Sequence, residues 1–295
     1  MNPSLGRLAV IGSTIAWSTA GFFTRAIPLD GWTLLLWRGL FGALGLLAVI
    51  LWLEGRSGWN GFARLGRAGW LFVAASAIGM ILFINALRFT TVAHVAVIYA
   101  VVPFAAALLG WLVLRERPGR PALLAALAAL IGVAVMVGLS SEGGWLGDLM
   151  AFGMTAMLAV MMVIARASPG IPIMPAACLS ALASGLVCWP LAEAGGGQIG
   201  VAEISLLVLF GLVNSALGLA LFALGAKRVA PVETALIGAL DAPLAPVWVW
   251  LAFGEVPGAG TLIGGTIVFS AVGLYLAATL PARSGLPDRH CRRTG

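Results

Sequence analysis

Apolar stretches long enough to cross a lipid bilayer recur along the whole chain. Apolar residues make up 61% of the 295 residues and charged residues only 9%, against about 45–50% and 25% in soluble domains. A helix needs about 20 mostly apolar residues to cross the hydrocarbon layer. We identify ten such stretches: 5–27, 32–53, 69–90, 94–115, 121–139, 146–167, 173–194, 204–225, 232–254 and 261–280. The sequence therefore predicts an integral membrane protein with ten spans.

The pattern of apolar residues predicts that the spans are helices. Residues 40–53 and 121–139 are apolar on every face, whereas the strands of a transmembrane barrel alternate apolar and polar residues. Small residues four apart, such as Gly39 and Ala43, indicate close helix packing. We predict an all-α fold.

One motif occurs twice in the chain. Each copy begins with Val-Ala, continues through a proline and a tryptophan, and ends in Glu, over residues 92–116 and 229–255. The copies are offset by 137 residues at their start and 139 at their end. An odd number of spans separates them, so the second copy crosses in the opposite direction. This pattern predicts two inverted five-helix repeats, 1–140 and 141–280, around a central cavity, followed by a basic cytoplasmic tail at 281–295.

The basic residues indicate the orientation. Arg25 and Arg88 fall on one side and Arg38 lies inside a span, while the other 14 of the 17 basic residues share one side. Those 14 are Arg7, Arg56, Arg64, Arg67, Arg115, Arg117, Arg120, Arg166, Lys227, Arg228, Arg283, Arg289, Arg292 and Arg293. The positive-inside rule then puts both termini in the cytoplasm, and we predict a multi-pass protein of the bacterial inner membrane. The opposite loops receive Asp30, Glu142, Asp148, Glu193 and Glu203.

Several classes of function fit poorly. The net charge of +6 is spread over membrane-flanking loops, which disfavours nucleic acid as a partner. His94 is the only histidine in a span and Asp241 the only carboxylate near the middle of one, while a metal site needs three or four ligands. We expect no cofactor, no metal and no enzymatic activity. The expected partners are a small-molecule substrate and the bilayer, with the chain acting as a monomer.

Four features carry a family resemblance. They are Trp17-Ser18-Thr19, Arg38-Gly39, and the paired runs from Pro103 and Pro243 to Glu. Together they resemble the drug/metabolite transporter superfamily, specifically its EamA-type members with ten helices in two repeats. Trp17-Ser18-Thr19 and Tyr99-x-x-x-Pro103 resemble the YddG-like aromatic amino acid exporters. The resemblance implies export of small organic molecules, including amino acids, through a central cavity walled by both repeats.

Three polar or aromatic residues reach a similar depth near the midplane. Asp241, Asn214 and Trp17 each lie about nine to twelve residues into a span, and a central charge costs about 2.5–3.5 kcal/mol on insertion scales. Asp241 either recognises a substrate ammonium or exchanges a proton, or it bonds to backbone freed by Pro243 and Pro246. The depth of these residues predicts a substrate site between the repeats.

Further candidates have a structural alternative. Tyr99 offers a ring face and a hydroxyl to a ligand or to another helix, and Met157 belongs to a methionine run suited to varied ligands or to plain packing. Arg38 either holds a substrate carboxylate or bonds to neighbouring carbonyls. The remaining candidates for the site are Asn85, His94 and Trp248, and the candidate hinges are Pro103, Pro243 and Pro246.

The leading hypothesis is a secondary transporter that exports small amphipathic metabolites by alternating access. Aromatic and other large neutral amino acids are the favoured substrates. One alternative is efflux of organic cations or drugs with Asp241 as the counter-charge. Another is a non-transporting membrane enzyme or an assembly partner.

Overall fold

A computed structural model describes residues 3–115, 120–139, 144–192, 199–226, 237–238 and 240–279. Helices account for nearly all of this part of the chain, and it contains no strand. The helices before residue 140 are α1 Pro3–Ser18, α2 Ala20–Ala26, α3 Gly31–Glu54, α4 Trp59–Ala63, α5 Gly66–Phe89, α6 Val92–Tyr99, α7 Val102–Leu114 and α8 Arg120–Leu139. Those after it are α9 Trp145–Ala167, α10 Ile173–Cys188, α11 Val201–Phe210, α12 Gly218–Ala226, α13 Asp241–Phe253 and α14 Ala259–Thr279.

Within the described residues, every predicted span coincides with one helix or with a helix broken into two or three segments. Within the described residues, five helical segments are long and apolar enough to cross a membrane, and the bent pair α6 and α7 makes a sixth candidate. Shorter apolar helices occupy the predicted fifth, ninth and tenth spans. The prediction of an all-α membrane protein is confirmed.

Helix packing follows the division into two sets of five spans. The first span packs on the eighth, through α1 and α12. In the same way the sixth span packs on the third, through α9 and α5. The second span contacts the seventh, the fifth contacts the tenth, and the fourth contacts the ninth. When every span is exchanged for the one five places along the chain, the 1–8 pairing becomes the 6–3 pairing and the other three are unchanged, so the set of pairings stays the same. The arrangement has the pseudo-twofold pattern expected of two repeats.

The fourth span breaks where its proline requires it. Pro103 has no N–H to donate to the carbonyl of Tyr99, so the helical ladder is interrupted. A tighter turn precedes the break, with Val101 N–H donating to the Ile98 carbonyl at 3.1 Å. The axis bends by 41° between α6 and the part of α7 that begins at Phe104.

The ninth span reproduces this geometry 139 residues later. Leu240 N–H donates to the Ile237 carbonyl at 3.1 Å, and α13 has 13 residues, as α7 does. Both helices end at a residue in the left-handed conformation, Arg115 with φ 58° and Gly254 with φ 70°. The start of the second motif copy, residues 229–236, and Glu116 lie outside the described residues. In this alignment Asp241 occupies the position of Val102.

The eighth span contains a π-helix. Residues Gly211–Leu217 form it, between α11 and α12. Such bulges are frequent at functional sites because they widen the turn and redirect side chains. Asn214 lies at the middle of this segment.

Candidate functional site

A cavity of about 390 Å³ lies at the centre of the bundle. Residues from the first to fourth and sixth to ninth spans line it, so both halves contribute. Most of its wall is apolar, including Met80, Phe83 and Leu158. The polar and aromatic members are Trp17, Ser18, Arg38, Ser76, Tyr99, Ser180, Asn214, Ser215 and Asp241. Its volume lies within the roughly 300–1,000 Å³ typical of pockets for small molecules.

Arg38 and Asn214 form a hydrogen-bonded pair on this wall. The Nη2 of Arg38 donates to Oδ1 of Asn214 at 2.8 Å, and its guanidinium carbon lies 4.8 Å from the centre of the Phe210 ring. Arg38 is only 2% exposed. Its Nε is buried and has no hydrogen-bond partner among the described residues.

Asn214 is fixed from its other end by the broken first span. Its Nδ2 donates to the carbonyls of Ala16 and Trp17, at 3.2 and 3.1 Å. These carbonyls lie just before the interruption at Thr19, between α1 and α2. The π-helix therefore places one amide where it binds both the end of α1 and Arg38. Three spans meet at this point of the cavity wall.

Asp241 and Tyr99 lie on the wall formed by the fourth and ninth spans. Both line the cavity. Asp241 is the first residue of α13, where the partial positive charge of a helix N-terminus favours a carboxylate. The cavity wall thus carries one basic side chain, Arg38, and one acidic side chain, among the residues described.

Four of the five leading candidates from the sequence line this cavity: Trp17, Tyr99, Asn214 and Asp241. Met157 does not. Met154, Leu158 and Met161 provide the cavity face of α9, and Met157 lies at its edge, where its Cβ would be 3.2 Å from a Cβ added to Gly79. Arg38, for which a structural role was the alternative, is also in the wall.

The other candidates lie away from the cavity lining. Asn85 is buried, donates to the Ile81 carbonyl of its own helix at 2.8 Å and packs against Gly31. Trp248 donates from Nε1 to the Ser18 hydroxyl at 2.8 Å and so joins α13 to α1. Of the candidate hinges, Pro103 is the second residue of α7, Pro243 the third of α13, and Pro246 lies inside α13. Whether the prolines act as hinges stays a prediction.

His94 binds a carboxylate that sequence reasoning left in a loop. Its Nδ1 lies 3.0 Å from Oδ1 of Asp148, which also accepts from the Thr90 hydroxyl at 2.8 Å. Asp148 is the fourth residue of α9 and is 5% exposed, so its assignment to an outer loop was wrong. Glycines 144 and 147 allow α9 to approach the end of α5 closely enough to bury it. The pair joins the first half to the second.

Serines were also missed by sequence reasoning. Ser180 donates to Ser76 at 2.6 Å between α10 and α5, and both line the cavity. A hydroxyl in a helix usually bonds to its own backbone, so sequence alone gives no signal for this contact. Within the described residues, no group of three or more His, Cys, Asp or Glu residues is arranged to hold a metal.

A thin apolar barrier separates the cavity from a second pocket of about 230 Å³. Val92 lines both pockets, Gly21 lines the cavity, and Val249 lines the second pocket. A Cβ added to Gly21 would lie 2.7 Å from Val92 Cγ1 and 3.4 Å from Val249 Cγ2. The first, fourth and ninth spans are therefore in tight contact here.

An ion pair lies beside this barrier. Arg25, at the end of α2, donates from Nε to Glu255 at 3.2 Å and from Nη2 to the Thr90 carbonyl at 3.1 Å. The two charged side chains are 28% and 31% exposed, so the pair itself contributes at most about 1 kcal/mol. Its position ties the end of the first span to the end of the third span and to the residue that follows the ninth.

Comparison with known proteins identifies the first half. Residues 4–138 match the EamA-like transporter family. They form an EamA-like domain. That family consists of membrane transporters of the drug/metabolite type and not of enzymes. It does not extend to the aromatic amino acid exporter subgroup.

The fold of the whole chain, beyond the EamA-like domain, also has a solved counterpart. A crystal structure aligns over 94% of this chain and 97% of its own, with a TM-score of 0.63 and 20% identity. At that identity the likeness shows the fold alone. No curated protein matches the chain.

Proposed function

We propose that this protein exports small amphipathic metabolites, with aromatic and other large neutral amino acids as its substrates. The observation that carries the proposal is the cavity of about 390 Å³ lined by spans from both halves. Its wall is largely apolar, which suits a large side chain, and it presents Arg38 and Asp241 to the charged groups of a zwitterion. A few convergent polar groups in an apolar pocket are typical of small-molecule sites.

The proposed mechanism is alternating access, with residues 1–140 and 141–280 as the two repeats. The contact among Gly21, Val92 and Val249 would then be the closed barrier on one side. By the positive-inside rule, the basic loops would place this side outside the cell and both termini in the cytoplasm. The protein would lie in a bacterial inner membrane and act as a monomer. The bend before Pro103 supplies a point about which the fourth span can pivot.

Flux from proteoliposomes tests the proposal. Vesicles containing the purified protein are loaded with labelled phenylalanine or tryptophan, and efflux is compared with that from empty vesicles. Met80→Trp fills the cavity and should abolish flux, whereas Ile78→Trp, on the same helix but half exposed at 50%, should not. Equal flux from protein-containing and empty vesicles would refute the amino acid substrates.

Efflux of organic cations is a second candidate, favoured by the position of Asp241 in the cavity wall. A carboxylate in the cavity wall attracts a cation that loses its hydration shell on entering the cavity. In that case Asp241→Asn should abolish transport of a quaternary ammonium probe and leave phenylalanine flux nearly intact. Loss of both fluxes would instead support one zwitterion site.

A further inference from the structure

Arg38 has fewer partners than a buried guanidinium requires. A guanidinium carries five N–H donors, and among the described residues its one hydrogen bond is from Nη2 to Asn214. Its Nε is buried without a partner. No described carboxylate lies within 4.0 Å of the Arg38 guanidinium. The positive charge is therefore uncompensated within the described structure.

The surroundings hold this group in place without neutralising it. Asn214 is itself fixed by the carbonyls of Ala16 and Trp17, and Phe210 lies against the guanidinium. A neutral amide and a ring face offset only part of the cost of a charge in the membrane interior. The side chain is thus ordered before any ligand arrives, which lowers the entropy cost of binding.

The guanidinium of Arg38 fits an oxyanion, and a carboxylate, with its single charge, suits the largely apolar cavity best. The planar fork of a guanidinium matches two carboxylate oxygens, and such pairs are among the strongest hydrogen bonds in proteins. A ligand in the largely apolar cavity beside Arg38 must present one small anionic group on an apolar body. We infer that Arg38, positioned by Asn214, is the seat for the carboxylate of the transported molecule. This inference rests on the proposed function and specifies its substrate class as carboxylates.

Binding to the purified protein tests the inference without requiring transport. Two probes of nearly equal size and opposite charge are compared, 3-phenylpropanoate and 2-phenylethylamine. Dissociation constants come from the dependence of the melting temperature on probe concentration. We expect 3-phenylpropanoate to bind the wild type and to bind Arg38→Gln about tenfold to a hundredfold more weakly, since a charge-assisted hydrogen bond is lost. Binding of 2-phenylethylamine should not weaken.

Two further variants make the result decisive. Arg88→Gln removes an exposed arginine at the end of α5 and should leave the affinity for 3-phenylpropanoate unchanged. Arg38→Lys keeps the charge but loses the fork, so it should bind 3-phenylpropanoate with reduced affinity; it replaces Arg38→Gln should that variant fail to fold. Equal affinity in the wild type and the Arg38 variants would overturn the inference, as would a wild type that binds no carboxylate.

Failure of this inference is distinguishable from failure of the proposed function. If phenylalanine flux does not depend on Arg38, the proposed transport stands and the inference that Arg38 binds the carboxylate is refuted. If 3-phenylpropanoate binding depends on Arg38 but no flux is seen, the carboxylate-binding role of Arg38 stands and the proposed transport of these compounds is refuted.

Discussion

The contact of Gly21 with Val92 makes one methyl group a test of the barrier between the two pockets. A Cβ at position 21 would lie 2.7 Å from Val92 Cγ1, and ordinary contacts begin at 3.4 Å. Either the Val92 side chain or the spans themselves must therefore shift by about 0.7 Å to accept alanine, and the β-branched side chain of Val92 has few alternative rotamers. Val249, at 3.4 Å, already touches the new methyl group and limits movement toward the ninth span.

The steric cost of a methyl group at position 21 applies only when the barrier is closed. Inserting a methyl group into a packed contact costs about 1–3 kcal/mol. When the spans separate, as alternating access requires, the methyl group has no neighbour to strike. Gly21→Ala should then shift the population toward the open barrier by about 5-fold to 100-fold, since 1.4 kcal/mol corresponds to a factor of ten.

Accessibility of the cavity from outside the cell measures this population. A cysteine at Ala96, which lines the cavity, is placed in a chain whose three native cysteines, Cys178, Cys188 and Cys291, are replaced by serine. A charged thiol reagent that does not cross the membrane is added outside. We expect its reaction rate with the new cysteine to rise about 5-fold to 100-fold in Gly21→Ala.

A matched glycine controls for general loosening. Gly273 has no atom within 4 Å of an added Cβ, so Gly273→Ala should leave the rate at its wild-type value. An unchanged rate in Gly21→Ala would show that the contact does not limit access. A rate that rises equally in both variants would show that the bundle loosens as a whole.

Three further predictions concern stability. Gly264→Ala places its Cβ against the backbone of α8 and should lower the free energy of unfolding by about 1–3 kcal/mol. Gly273→Ala, on the same helix, should leave the free energy of unfolding unchanged or raise it by up to about 1 kcal/mol. Denaturant titration measures both values, and equal values would refute the packing argument. Asp30 caps α3, and although partial burial acts to raise its pKa, hydrogen bonds from the first turn of α3 bring the net pKa below the usual value. Its contribution of about 1 kcal/mol should be complete above about pH 3.9, disappear as pH falls through the lower folded pKa and be absent in Asp30→Ala; melting curves from pH 6 to 3 that run parallel would contradict this. Asn214→Ala removes one charge-assisted and two neutral hydrogen bonds, a loss of about 4 kcal/mol, while Asn214→Asp keeps an acceptor for Arg38 and should lose less in thermal unfolding.

Features that depend on local sequence were predictable. Apolar length defined the spans, and Pro103 marked the break in the fourth, because a missing N–H interrupts a helix wherever it falls. Depth, counted in residues from a span end, brought Trp17, Asn214 and Asp241 to one level, and all three line the cavity. That they bind substrate stays a prediction.

Features that depend on rotation about a helix axis were not predictable. Met157 and Met154 belong to one run, yet only Met154 faces the cavity, and a shift of a few tens of degrees decides between them. The burial of Asp148 depends on how closely α9 approaches α5, which two glycines set. The π-helix around Asn214 widens one turn and changes the direction of its side chain. Such details are properties of packing between spans.

The two halves share a scaffold but not its electrostatics. The second and eighth spans meet at Arg38 and Asn214, and the equivalent pair, the seventh and third, meets at Ser180 and Ser76. All four side chains line the cavity, so one wall carries a charge where its counterpart carries neutral hydroxyls. A twofold scaffold with identical walls would bind a ligand equally well in two opposed orientations. Because a carboxylate can pair with a guanidinium on one wall only, the proposed seat fixes a single orientation of the substrate. Replacing Arg38 should therefore weaken carboxylate binding and also reduce the selectivity among substrates that differ in the position of their carboxylate. Competition between 3-phenylpropanoate and shorter aromatic carboxylates such as benzoate would measure this loss of selectivity.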